Sequence, residues 1–96
     1  MEVNNKKSQE EIQLPEKLLK NLSFNQKRII EELAKHPEGM FSRHLSHRTG
    51  ISNKSDTIKH HVRELLAKYG LEVRTKRIPE KAQWLWSLNY ISSGEQ

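Results

Sequence analysis

The chain has 96 residues, 33% of them hydrophobic, a formal net charge of +5 and no cysteine. That length suits one small domain with a modest core and no large catalytic cleft. The lack of cysteine excludes disulfides and thiolate metal sites, no apolar run reaches membrane-spanning length, and the polar opening MEVNNKKSQEE is no signal peptide, so a cytoplasmic protein is expected.

Residues 1–11 show no hydrophobic periodicity and are predicted to be a disordered tail. Residues 12–22, IQLPEKLLKNL, read as a short amphipathic helix that Pro15 opens and whose leucines fall on one side. That stripe fits two uses: packing on the main domain, or pairing weakly with a second copy through Leu14, Leu18, Leu19 and Leu22. The main domain is expected over residues 23–90. Ser23 followed by Gln26 makes a capping box for a helix carrying Ile29, Ile30, Leu33 and Ala34, and Pro37 stops it after His36. Glu38 and Gly39 turn the chain into the apolar pair Met40 and Phe41.

From Ser42 to Gly70 the pattern is two helices joined by a glycine-marked turn. Ser42 is the expected N-cap, Leu45 points inward, Gly50 takes the left-handed conformation that ends a helix, and Ile51 plugs the turn. Ser52 and Asn53 offer a second cap. Ile58, Val62, Leu65, Leu66 and Tyr69 then recur at the spacing of one helical face, with Asp56, Thr57, Lys59, His60 and Arg63 on the other. After Gly70 the period becomes alternating. Leu71, Val73 and Thr75 share one side and Glu72, Arg74 and Lys76 the other; a loop at Pro79–Ala82 follows, and Trp84, Trp86, Leu88 and Tyr90 alternate on a second strand. Trp84 and Trp86 have faces on which single-strand bases can stack, but their alternation with Leu88 makes the core the expected place for both, where indoles cover much apolar surface. Residues 91–96 are predicted to be a second disordered tail.

The charge is regional. Phe41 to Lys81 hold ten bases against four acids, a surplus of six, whereas residues 1–40 hold seven of each. Clustered Lys and Arg are what phosphate neutralisation requires.

Leu45, Ser46, Gly50, Ile51, Ile58, Val62, Leu65, Gly70 and Leu71 together resemble the helix-turn-helix of winged-helix DNA-binding proteins, MarR-like regulators among them. The turn is longer than the compact repressor type, since position 56 is Asp and the next aliphatic is Ile58. The resemblance implies a mainly α fold, a three-helix core with a C-terminal β-hairpin wing and a short first strand near Met40 and Phe41. It also implies sequence-specific binding of double-stranded DNA, as a small transcriptional regulator of bacterial or mobile-element type. The alternatives are the DNA-binding part of a replication or recombination initiator, or a winged-helix protein-interaction adaptor.

The expected DNA contacts are Arg43, Asn53, Lys54, Ser55, Thr57, Lys59, His60 and Arg63 around the second helix, and Arg74, Lys76, Arg77 and Lys81 on the wing. The residues at the helix start are the ones expected nearest base edges. His44 and His47 share a helix face, and His60 and His61 follow on the next, but no thiol or carboxylate pair completes a ligand set, so no metal or other cofactor is expected. No ordering of Ser, His and acid, no glycine-rich phosphate loop and no clustered carboxylates suggest an enzyme.

Overall fold

In the computed structural model, which describes residues 11–91, five helices pack on one face of a three-stranded antiparallel sheet. In chain order they are α1 (Glu16–Lys20), α2 (Phe24–Lys35), β1 (Met40–Phe41), α3 (Ser42–Thr49), α4 (Lys54–Thr57), α5 (His60–Lys68), β2 (Leu71–Ile78) and β3 (Gln83–Tyr90). The strand order is β1-β3-β2, so the last strand lies in the middle. The fold is therefore a mixture of α and β and not mainly α, and the short first strand expected near Met40 and Phe41 is present: these residues pair with Trp86 and Leu85 and make the hairpin a three-stranded sheet.

Local signals begin and end several elements. The Ser23 hydroxyl accepts from the Gln26 N–H, and the Gln26 amide oxygen accepts from the Ser23 N–H at 2.9 Å, which completes the capping box of α2. This helix ends at Lys35, before Pro37. Gly39, at φ +97°, sits where a Cβ would be strained and would lie 3.1 Å from the Trp86 carbonyl oxygen, so glycine suits the close approach of β1 to β3. In α3 the N-cap is Phe41, one residue earlier than expected, and Ser42 is the first helical residue.

Leu71 and Val73 of β2 share a face with Trp86 and Leu88 of β3, since Val73 pairs with Leu88 and Thr75 with Trp86. These four residues and Met40 bury that face against Ile29, Ile30 and Leu33 of α2, Leu45 of α3, Ile58, and Val62 and Leu66 of α5. The hairpin tip is a single 3-10 turn over Pro79–Lys81, with Ala82 in the left-handed region. β2 continues through Arg77 and Ile78 up to the expected loop.

The leucine stripe belongs to the core. Helix α1 has five residues, shorter than residues 12–22, and the chain before it is not helical: Ile12 is buried and its N–H donates to the Ala34 carbonyl at 3.0 Å. Leu18 is fully buried, Leu22 is buried, and Leu14 and Leu19 pack against the same cluster. Of the two uses open to the stripe, packing on the main domain is the one seen for Leu18 and Leu22, which leaves a second copy only the partly buried Leu14 and Leu19. The predicted tails lie outside the described residues except for Glu11, which is exposed, and Ile91, whose N–H donates to the Gly70 carbonyl at 2.8 Å.

Deleting the buried Leu18 side chain should remove about 2–5 kcal/mol of stability, as large-to-small changes in closed cores do. The urea midpoint of Leu18→Ala is expected to fall well below that of the parent, and both midpoints should be independent of protein concentration. A midpoint that rises with concentration would return the stripe to an interface.

Candidate nucleic-acid interface

The turn after α3 is built from short polar bonds. Gly50 has φ +75° and its N–H donates to the Ser46 carbonyl at 2.7 Å. The buried Thr49 hydroxyl donates to the Leu45 carbonyl at 2.8 Å and accepts from the Ile51 N–H at 3.2 Å, which brings Ile51 back over the core. Arg28 of α2 reaches across: its Nε donates to the Thr49 carbonyl at 3.0 Å, and its guanidinium lies 5.7 Å from the Phe24 ring centre. A cation there meets carbonyls that end a helix, where positive charge is favoured.

The second helix, expected as one element after the caps offered by Ser52 and Asn53, is broken. α4 ends at Thr57, Ile58 (φ −100°, ψ 76°) leaves helical geometry, and Lys59 is the N-cap of α5. Thr57 and Ile58 are adjacent β-branched residues, which weakens the helix at that point. Two bonds settle the break: the Thr57 hydroxyl donates to the Asn53 carbonyl at 3.0 Å, and the Thr57 carbonyl accepts from Gln26 Nε2 at 3.3 Å.

Lys54 also departs from expectation. Expected as an exposed DNA contact, it is 5% exposed, donates to the Ser46 hydroxyl, and holds its ammonium 5.9 Å from the Trp86 ring centre. These partners are a hydroxyl and an indole face, and neither supplies a negative charge. Burial therefore lowers the Lys54 pKa from its ordinary value of 10.5.

Between this segment and the hairpin lies a cleft of about 420 Å³. Asn53, Ser55 and Asp56 form one wall, Thr75 and Trp84 the other, and Lys54 and Trp86 lie deeper between them. Asn53 Nδ2 donates to Asp56 Oδ2 at 3.3 Å. Trp84 was expected in the core with Trp86. It shares the face of Trp86 but stands nearer the tip, past the helices that cover Trp86, and is 45% exposed.

The structure gathers Asn53, Lys54 and Ser55 at this cleft and spreads the other expected contacts. Arg43 lies with His44, His47, Phe41 and Gln83 in a separate shallow hollow, and Thr57 lines another, with Arg28 and Gly50. Lys59, His60 and Arg63 are exposed at the start of α5, but His60 pairs with Glu64 at 2.9 Å and Arg63 donates to the Val73 carbonyl at 3.1 Å, tying α5 to β2. On the hairpin the cations are divided. Arg77 pairs with Trp84 on the helix side, while Arg74 and Lys76 share the opposite side with Glu72, whose carboxylate accepts from Arg74 at 2.6 Å. Lys81 is exposed at the tip.

Residues that sequence reasoning did not assign to the site are Trp84, Thr75 and Asp56. The signal for Trp84 was its place two residues from the turn, where a hairpin outruns its core. Among the described residues no group of three or more His, Asp or Glu is arranged to hold a metal ion, and no helix is long and apolar enough to cross a membrane. Comparison with known protein families, curated proteins and solved structures gives no match.

Lys54 yields a pH test. Between its lowered pKa and 10.5 the unfolded chain binds more protons at this residue than the folded chain does, so the cost of burying the ammonium is relieved as pH rises through that window. Lys54→Met keeps most of the stem and removes the charge. The urea midpoint of the parent should gain on that of Lys54→Met as pH rises from neutral toward 10.5, and parallel profiles would mean that burial carries no such cost.

Proposed function

We propose that the chain is a winged helix-turn-helix domain that binds double-stranded DNA sequence-specifically and acts as a small transcriptional regulator. The observation that carries this reading is the element order α2-β1-α3-α4/α5-β2-β3 with strand order β1-β3-β2, on a chain whose charge surplus of six lies between Phe41 and Lys81. That order sets a helix pair and a projecting hairpin side by side. Such a pair lets one element enter a groove while the hairpin meets the flanking backbone.

In this reading Asn53 and Ser55, both exposed at the start of α4, meet base edges, and Lys59, Lys76, Arg77 and Lys81 neutralise phosphates. Lys54 is a positioning residue that braces α4 against Ser46 and Trp86. Arg63 has a double part, since the side chain that would meet a phosphate also satisfies the Val73 carbonyl.

Selection from random duplexes followed by salt titration tests the reading. A consensus sequence should emerge, affinity should fall steeply with salt, and Lys59→Ala and Arg77→Ala should each lower the slope of log K against log salt by about one. Arg63→Ala should weaken binding and lower the urea midpoint as well. Binding that ignores salt, or no selected sequence, would refute the proposal.

A further inference from the structure

The cleft beside α4 has a feature that duplex binding leaves unused. Trp84 places a large aromatic face, nearly half exposed, in the wall of a concave space whose other wall carries Asn53, Ser55 and Asp56. In a paired duplex the faces of the bases are covered by their neighbours and only their edges are offered. An indole inside a cleft has a use for a base only when that base has left the stack.

We infer that this cleft seats a single unpaired nucleobase of the bound DNA, stacked on Trp84 and hydrogen-bonded along its edge by Asn53, Ser55, Asp56 and Thr75. The inference rests on the DNA-binding reading above and deepens it. Three observations select a base over other occupants. The volume, about 420 Å³, admits one base and is far too small for a duplex segment. The Asp56 carboxylate in the wall repels a phosphate but accepts from the exocyclic amino group of a base, as carboxylates do from cytosine. The ammonium in the cleft, Lys54, is buried between Ser46 and Trp86 and offers little surface to a phosphate, whereas Arg77, paired across the hairpin from Trp84, is exposed where the phosphate of a seated nucleotide would emerge. The base is thus read inside and its backbone held outside.

The full chain is tested at one low salt concentration against three short duplexes of the same sequence: fully paired, with one extra unpaired nucleotide, and with that nucleotide abasic. The parent should bind the duplex with the extra base at least about fivefold tighter than the paired one, the low end of what stacking on one aromatic side chain supplies. That gain should vanish with the abasic nucleotide and with Trp84→Ala, and Trp84→Phe should keep most of it. Trp84→Ala should keep the circular dichroism spectrum and the cooperative urea transition of the parent, which shows that the domain is intact. Equal affinity of the parent for all three duplexes, or a gain that survives the abasic nucleotide or Trp84→Ala, would overturn the base cleft and leave duplex binding standing. Failure to bind any of the three would overturn both.

Discussion

The meeting of Trp86 and Lys54 is the point on which the rest of the architecture depends. Trp86 lies on the central strand, opposite Met40 on one side and Thr75 on the other, and it is buried. In a chain one third hydrophobic, one indole supplies much of the apolar surface that closes a small sheet against its helices. The Lys54 stem lies over that core while its ammonium turns to Ser46, so α3, α4 and β3 converge on one lysine. A long side chain with an apolar stem and a polar head can do both at once. An aliphatic residue there would fill the space without reaching Ser46.

Opposite this junction, α2 acts as a brace. Gln26 starts its own helix through the Ser23 N–H and ends another through the Thr57 carbonyl, and Arg28 satisfies the carbonyl of Thr49 at the end of α3. Chain ends that would otherwise leave unpaired carbonyls near the core are thereby closed from one side. The short segment Asn53 to Asp56 is consequently held from behind by α2 and from the sheet side through Lys54, while Asn53, Ser55 and Asp56 remain exposed between them. Residues fixed in this way lose little freedom on meeting a ligand.

Features governed by neighbouring residues were legible in the sequence. The capping box at Ser23 and Gln26, the left-handed Gly50 and the alternation of the hairpin each depend on a few consecutive residues, and each is present. Features that depend on distant partners were not legible. Residues 54, 58, 62 and 66 keep a spacing of four straight through the helix break, with no Gly or Pro to mark it, and the bond that completes the break comes from Gln26, 31 residues away. Lys54 between Asn53 and Ser55 has the look of a surface residue; its burial depends on Trp86, in another element. The stripe of α1 was visible as a stripe, but periodicity does not say what covers it. For Trp84 the alternation assigned the correct face and gave no measure of how far along that face the helices extend.

That extent decides the character of the hairpin. Its strands are eight residues each, yet on the helix side burial ends at Val73 and Trp86, and Thr75, Arg77 and Trp84 continue toward the tip without helical cover. β2 is also an edge strand, with backbone groups available for pairing with another chain. An exposed edge next to an exposed indole invites self-association. Arg74, Lys76 and Arg77 lie along that edge, and two copies brought edge to edge would set cation against cation. Arg74 has its charge answered among the described residues, by Glu72. The arrangement therefore disfavours a second copy of the protein as the partner of the hairpin, since its approach would add to the repulsion already present along that edge.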